Sequence, residues 1–219
     1  MGKIVAVTLG AGQGTRMGAD RNKVLLELAG KPLLLYALEV FERSPLVDES
    51  LLVAHPQEVA LVSRAIVKRY GLRKVAQVIA GGATRHQSEA NALAALRTRI
   101  ESGEIEIVLI HDGARPLLAE DDVARVVGAV RALGGPGGAL LATRLTPDEV
   151  IMRVTADGAI TGVYAPGELA RAQTPQAFTA QTLLAAYEQA RGDGFEGTDT
   201  ASSVERLGLP VALVVGSAR

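Results

Sequence analysis

Residues 4–18 read IVAVTLGAGQGTRMG, an apolar run that leads directly into a glycine-rich turn. The run predicts a buried first strand, and the turn lets backbone N–H groups approach a bound ligand because glycine has no Cβ. Two cations, Arg16 and Lys23, follow within about two helical turns of sequence. Accessible amides together with two fixed positive charges suit a nucleoside triphosphate.

The turn matches neither of two common nucleotide-binding motifs. The chain has no Gly-x-x-x-x-Gly-Lys-Ser/Thr run. Thr15 occupies the third glycine position of the dinucleotide fingerprint, and residues 32–41 are amphipathic where that fingerprint needs a strand end with a carboxylate. A strand-to-helix turn without a ligand is the alternative, but the placement of Arg16 and Lys23 favours phosphate binding.

The composition limits the class of protein. At 219 residues, the chain fits one domain, residues 1–219, with its own core. The absence of cysteine excludes disulfides, thiolate metal sites and cysteine nucleophiles. A net charge of −1 and an aromatic content of 3% argue against binding to nucleic acid or to a membrane surface. Since neither a long apolar run nor a signal peptide is found, we expect a cytoplasmic protein.

Apolar runs alternate with helical patterns along the chain. Strands are predicted at residues 4–9, 51–54, 75–79, 105–110, 138–143 and 211–215. Helices are predicted at residues 56–70, at 84–100 and from Asp121 to Leu133. Near-continuous apolar strands separated by helices indicate an α/β fold, with a mostly parallel sheet and helices on both faces. Ligands in such folds bind at the carboxyl ends of the strands, where the glycine-rich turn is expected.

One segment interrupts this alternation. Residues 150–154 and 159–164 are apolar runs on either side of Thr155-Ala156-Asp157-Gly158, and Asp-Gly in such a setting predicts a β-hairpin. An isolated hairpin is only marginally stable in water, so it has to pack on something. It is either an antiparallel edge of the same sheet or an arm that pairs with a second subunit.

A second cluster of polar residues, HDGARP at 111–116, follows the strand at 105–110. Asp112 is well placed there to hold Mg²⁺ against a triphosphate, because magnesium binds one or two carboxylates together with phosphate oxygens. The alternative is that Asp112 begins a turn and that Arg115 neutralises it. We interpret His111 as a structural residue, as is usual for a lone histidine at a strand end.

A third cluster, GGATRHQS at 81–88, opens the helix predicted at 84–100. Helix N-terminal amides and the hydroxyls of Thr84 and Ser88 could contact a base edge or a phosphate. The alternative is that Thr84 only caps the helix, in a capping box with Gln87, and that Arg85 is solvated. Residues 198–202 also look like a helix start.

Together and in this order, five motifs resemble the 2-C-methyl-D-erythritol 4-phosphate cytidylyltransferase family of the non-mevalonate isoprenoid pathway. The motifs are residues 10–18 with Lys23, then 81–88, 111–116, 173–178 and 198–202. The resemblance spans nearly the whole chain. It implies a Rossmann-like nucleotidyltransferase fold that binds CTP and Mg²⁺, and a projecting β-hairpin arm, at about residues 144–172, that mediates a homodimer.

Matching positions imply roles on the nucleotide side. Arg16 and Lys23 would stabilise the charge that develops on the α-phosphate and on the departing pyrophosphate. The residues that would line the CTP phosphates are Gly10, Ala11, Gly12 and Gly14. Those that would contact cytosine or ribose are Gly82, Ala83 and Ser88.

Other matching positions lie on the metal and acceptor side. Asp112 would bind Mg²⁺, and Thr198 would bind the sugar phosphate across the dimer. Arg115 and Thr174 lie within the matching motifs and are predicted to bind substrate, as is Arg171, which lies near the family's arginine position.

The chain departs from the family pattern on the acceptor side. Pro166 stands where relatives carry an arginine for the sugar phosphate, and Arg171 is the nearest cation. Residues 216–219 end the sequence where relatives continue through a strand with a functional lysine. The alternatives are therefore a cytidylyltransferase for another polyol phosphate, such as ribitol 5-phosphate, or a non-catalytic nucleotide-binding regulator. The intact pair of Arg16 and Lys23 favours an enzyme.

Overall fold

The computed structural model describes residues 1–12, 22–146, 149–165 and 169–216. In these ranges the strands are β1 (Lys3–Gly10), β2 (Glu27–Leu28), β3 (Lys31–Pro32), β4 (Glu49–Ala54), β5 (Val75–Ala80), β6 (Ile105–Asp112), β7 (Gly138–Arg144), β8 (Ile151–Val154), β9 (Ile160–Tyr164), β10 (Ala170–Thr179) and β11 (Val211–Val215). The α-helices are α1 (Leu33–Arg43), α2 (Val59–Val62), α3 (Arg85–Glu101), α4 (Glu120–Ala132), α5 (Ala180–Asp193) and α6 (Thr200–Glu205).

Seven strands form one sheet in the order β11-β7-β10-β6-β1-β4-β5. The pairs β1–β4, β1–β6, β4–β5 and β7–β11 are parallel. β10 lies between β6 and β7 and runs antiparallel to both. The sheet is therefore mostly parallel, as predicted, and one reversed strand joins its two parallel parts.

Helices cover both faces of the sheet because side chains alternate along its interior strands, as β1 shows. Val5 and Val7 of β1 belong to a core cluster with residues of α3, α5 and α6. Ile4 and Ala6 belong to a second cluster, on the opposite face, with residues of α1 and α4. Burying one valine or isoleucine side chain of this kind contributes roughly 1.5–3 kcal/mol to the stability of the fold. This two-sided core fixes the register of the strands whose carboxyl ends carry the site.

The six predicted strands and the helices α3 and α4 are present, with small shifts at their ends. The prediction of one continuous helix at residues 56–70 is wrong in detail. A 3₁₀ turn (Pro56–Glu58) precedes α2, and a π-helical stretch (Ser63–Lys68) follows it. Gly71 ends this segment with a φ of 63°, a backbone conformation that favours glycine.

The hairpin of β8 and β9 is a two-stranded sheet of its own, so the interpretation as an edge of the main sheet is wrong. Its turn is as predicted: the N–H of Thr155 donates to the Ala159 carbonyl at 2.9 Å, and Gly158 has a φ of 90°. Several large apolar side chains of the hairpin are exposed, among them Val154, Ile160 and Val163. Among the helices that the structure describes, none has both the length and the apolar character needed to cross a bilayer.

Candidate active site

Three of the sequence motifs meet at the carboxyl edge of the parallel strands, around a cleft of about 1100 Å³. The cleft is bounded by the end of β1, the residues after β5 and the end of β6. The predicted site residues that line it are Ala11, Gly12, Lys23, Gly82, Ala83, Ser88, Asp112 and Arg115. Gly10 ends β1 beside it, whereas Gly14 and Arg16 lie outside the described residues. The expectation of a ligand site at this edge matches the position of the cleft.

Lys23 projects from a short 3₁₀ turn that Asn22 fixes in place. The Asn22 side-chain amide donates to the Gly10 carbonyl and to Glu58 Oε2, both at 2.9 Å. Its oxygen accepts the N–H of Val24 at the start of the turn. Within residues 1–12, 22–146, 149–165 and 169–216, the Lys23 ammonium forms no ion pair. A half-buried cation without such a partner is available to an anionic ligand.

The start of α3 is capped as predicted, with one difference. Thr84 Oγ1 accepts the N–H of Gln87 at 3.1 Å, while Gln87 Oε1 accepts the N–H of Ala83 rather than that of Thr84. Ser88 Oγ accepts the N–H of Gly82 and donates to the Thr84 carbonyl. The N–H groups of Gly82 and Ala83 are therefore bonded within the segment, and the hydroxyl of Ser88 holds its shape.

Two glycines let this segment lie against its neighbours. A Cβ at Gly81 would come within 2.4 Å of the Ala11 Cβ, and one at Gly82 would come equally close to the Gln87 Cβ. Real Cβ contacts are not that short, so a larger residue at Gly81 would push the segment away from Ala11, and one at Gly82 would clash with Gln87 inside the segment. Gly81 thus allows this segment to approach the end of β1 closely.

Asp112 lies at the end of β6 between two guanidinium groups. Arg115 Nε donates to its Oδ2 at 3.0 Å, and Arg85 Nε approaches its Oδ1 at 3.3 Å. Burial alone would raise the pKa of Asp112, but the charges of Arg85 and then Arg115 outweigh burial and hold the pKa below its usual value. The carboxylate is therefore ionised and faces the cleft with two cations beside it.

His111 holds the turn that carries Asp112. Its Nε2 lies 3.2 Å from the Arg115 carbonyl, and its Nδ1 lies 3.0 Å from Thr174 Oγ1. The Thr174 hydroxyl also accepts the N–H of Asp112. Burial lowers the pKa of His111 to about 4, so the ring is neutral and donates through Nε2. The interpretation of His111 as structural agrees with this geometry, and Thr174 uses its hydroxyl to hold the same turn.

A divalent metal fits this cleft only together with its substrate. Asp112 is the one carboxylate among the described residues that line the cleft, and the described ranges contain no group of three or more His, Asp or Glu side chains around one point. Magnesium characteristically takes one or two carboxylates, phosphate oxygens and waters. Asp112 thus offers the protein ligand, and a triphosphate would have to supply the others.

Two predicted acceptor residues lie away from the cleft walls in this single chain. Arg171 pairs with Glu149 at 2.7 Å, next to the hairpin. Thr198 is exposed just before α6, where Asp199 caps the helix by accepting the N–H of Ser202 at 3.1 Å. The helix start predicted at residues 198–202 is confirmed.

The interpretation of Arg85 as a solvated side chain is wrong. It bridges Asp112 in the cleft and Glu89 behind it. Neither Glu89 nor its partner Tyr187 was expected at the site. The i,i+4 spacing of Arg85 and Glu89 on a helix is the one sequence signal that pointed to their contact.

Comparisons with known proteins agree with the geometry. A family model described as 2-C-methyl-D-erythritol 4-phosphate cytidylyltransferase matches residues 4–219. A protein of that name from Geobacter metallireducens is 43% identical over 216 residues, covering 99% of this chain and 90% of that protein. A crystal structure of a protein of the same name from Thermus thermophilus is 30% identical with a TM-score of 0.71, covering 97% and 88% of the two chains. A 4-diphosphocytidyl-2C-methyl-D-erythritol synthase from Anaerococcus prevotii, 24% identical, matches the fold with a TM-score of 0.81 over 99% and 90%.

Proposed function

The chain belongs to the 2-C-methyl-D-erythritol 4-phosphate cytidylyltransferase family, and on that premise we propose how its cleft carries out the reaction. The enzyme transfers the cytidylyl group of CTP to 2-C-methyl-D-erythritol 4-phosphate in isoprenoid biosynthesis. An oxygen of the acceptor phosphate attacks the α-phosphorus of CTP. The bond from that phosphorus to the oxygen bridging to the β-phosphate breaks, and pyrophosphate leaves with the electron pair.

The observation that carries this proposal is the meeting of Lys23, the glycine-rich turn and Asp112 in one cleft. Phosphoryl transfer needs little covalent help from the protein, because positioning and cations around the phosphate oxygens supply most of the catalysis. We assign Lys23 to the charge that develops on the α-phosphate and on the leaving pyrophosphate. Arg16, together with Gly14, would act from the part of the turn outside the described residues.

The nucleotide itself would lie along the turn and the start of α3. Gly10, Ala11 and Gly12 would bring backbone amides to the phosphates, and residues 82–88 would face cytosine and ribose. The amino group of cytosine is a hydrogen-bond donor. Since the N–H groups of Gly82 and Ala83 are already bonded within the segment, their carbonyl oxygens are the natural partners for that amino group.

We assign a divalent metal, Mg²⁺, to Asp112 and the triphosphate. When bound there, the metal would neutralise phosphate charge and make the α-phosphorus easier to attack. Arg85 and Arg115, which pair with the Asp112 carboxylate, would add positive charge beside the phosphates.

The acceptor side is proposed to involve a second subunit. We propose that the hairpin forms the centre of an arm, about residues 144–172, that joins a homodimer. Its exposed apolar side chains are typical of a surface that another chain covers. In that arrangement Thr198 and Arg171 would bind the acceptor phosphate across the dimer, with Arg115 and Thr174 at the shared site. We further propose that residues 1–219 act as one domain, in the cytoplasm.

Pyrophosphate release tests this function. The protein is incubated with Mg²⁺ and each of the four nucleoside triphosphates, with either 2-C-methyl-D-erythritol 4-phosphate or ribitol 5-phosphate as acceptor. We expect release only with CTP and the methylerythritol phosphate. Release with ribitol 5-phosphate instead would keep the mechanism and change the acceptor. No release with any pair, from protein that still binds CTP, would contradict the transfer reaction.

A further inference from the structure

A buried carboxylate lies directly behind the cleft. Glu89, on α3, is 1% exposed. Its Oε1 lies 2.7 Å from Arg85 Nη1 and accepts the hydroxyl of Thr200 at 2.6 Å. Its Oε2 accepts the hydroxyl of Tyr187, on α5. Glu89 thus connects α3, α5 and α6, and its partner Arg85 lines the cleft.

Glu89 is held by two hydroxyl donors and one positive charge. Thr200 and Tyr187 each donate a hydrogen bond to it, and Arg85 forms an ion pair with it at 2.7 Å. Burial raises the pKa of Glu89 above its usual value, and the positive charge of Arg85 offsets only part of that rise. Removing one member of a buried ion pair leaves the other charge uncompensated. This destabilises the protein far more than replacing both members with apolar residues does.

Arg85 is shared between two carboxylates, one on each side of the cleft wall. Asp112 lies within the cleft and Glu89 behind it. The Thr200 hydroxyl completes the arrangement, because it accepts from Arg85 Nη1 at 3.2 Å while it donates to Glu89. Thr200 is the first residue of α6 and follows Thr198 by two positions. The same contacts therefore tie the nucleotide side of the cleft to the segment assigned to the acceptor.

We propose that Glu89 is a positioning residue for cytidylyl transfer, which holds Arg85 at the cleft wall and fixes α6 to α3. The inference rests on the proposed function of this cleft. Without the charge on Glu89, Asp112 is the remaining carboxylate that contacts Arg85 within the described residues. The guanidinium would then move toward Asp112, and both groups would leave the positions in which they meet the substrates.

A double-mutant cycle tests the proposal. The four proteins are wild type, Glu89→Gln, Arg85→Gln and the double variant, each assayed for kcat and KM with CTP and with the acceptor. Because interacting residues give non-additive effects, we expect Glu89→Gln to lower kcat/KM about tenfold in the wild-type background. In the Arg85→Gln background it should change kcat/KM by less than about twofold. Equal factors in both backgrounds, or no loss in wild type, would overturn the proposal.

Glu188→Gln is the matched control. Glu188 on α5 pairs with Arg97 on α3, so it forms an ion pair from α3 to a neighbouring helix away from the cleft. We expect its kcat/KM to equal that of wild type. If Glu89→Gln does not fold, Thr200→Val replaces it in the cycle, with a smaller loss that again disappears when Arg85 is Gln. Turnover by the wild-type protein tests the proposed function, and the ratios of kcat/KM between variants test the role of Glu89. Either proposal can therefore be rejected without the other.

Discussion

Lys23 and Asp112 face the cleft in opposite electrostatic situations. Asp112 already has two guanidinium groups beside it, whereas Lys23 has no ionic partner in the described ranges. We therefore propose that an incoming triphosphate binds the ammonium of Lys23, which would stabilise the negative charge that accumulates on the leaving pyrophosphate. In that role the cation would act mainly on the transition state.

We expect Lys23→Ala to lower kcat by about 10²–10³-fold, the usual loss when one preorganised group that stabilises developing charge is removed. The melting temperature should stay close to that of wild type, because no ion pair to a described residue is lost. Lys31→Ala is the control, since Lys31 pairs with Glu39 nearby but does not line the cleft. Near-normal turnover in Lys23→Ala would remove this residue from the mechanism.

His111 gives the fold a specific dependence on pH. Its pKa is about 4 in the folded protein and about 6.5 in the unfolded chain. Between these values the unfolded chain binds a proton that the folded protein does not, so stability falls as the pH drops from about 6.5 to 4 and is fully present above that window. The whole contribution is about 3 kcal/mol.

The measurement is the melting temperature between pH 4 and pH 8 for wild type and for His111→Asn. We expect the difference between the two proteins to shrink as the pH falls, because the variant has lost this proton linkage. His86, whose pKa burial also lowers, remains in both proteins and cancels in the comparison. A difference in melting temperature that stays constant from pH 4 to pH 8 would contradict the neutral, buried state of His111.

At this scale, candidate residues could be named from the sequence where residue type and order along the chain sufficed. The glycine-rich turn with Lys23, and Asp112 after an apolar strand, were recognisable as nucleotide and metal candidates. The partners of Arg85 could not be predicted, because they come together only in the folded chain. Thr200, for example, is separated from Glu89 by 111 positions.

At the scale of elements, the hairpin of β8 and β9 carries several of the exposed large apolar side chains found among the described residues. Ile160 and Val163 are more than half exposed, at 61% and 65%. We expect Ile160→Asp combined with Val163→Asp to convert the proposed dimer into monomers, because two charges buried in the interface would oppose the pairing of the proposed arms. Sedimentation velocity measures the result, and Leu61→Asp, an exposed apolar position on α2, is the control. A dimer that survives the double substitution would reject the hairpin as its interface.

Among the elements, the strands with continuous apolar runs were predicted, whereas β10 and α5 were missed. β10 was not predicted because it contains Pro175 and the polar Gln173 and Gln176, which do not look like a central strand. Its place is set by pairing with β6 and β7, which lie far from it in sequence. α5 was also missed, although its buried Leu183, Leu184 and Tyr187 follow helical spacing.

At the scale of the whole molecule, the sheet directs its loops to one edge and so assembles the cleft. The parallel order of β4, β1 and β6 brings the glycine-rich turn, the segment after β5 and Asp112 together. This much was predictable, since ligands bind at the carboxyl ends of parallel strands. The reversed direction of β10 was not predictable, yet it brings Thr174 under the turn that carries Asp112. Long-range pairing, rather than any local pattern, completes the site.

A crystal structure of the protein with CTP and Mg²⁺ is the most direct measurement. We expect the triphosphate beside residues 10–12 and Lys23, cytosine against residues 82–88, and the metal between the Asp112 carboxylate and the phosphate oxygens. A nucleotide bound elsewhere, for example in the groove between α3 and α5 beside Tyr187, or a metal without Asp112 among its ligands, would contradict the assignment of this cleft as the site of cytidylyl transfer.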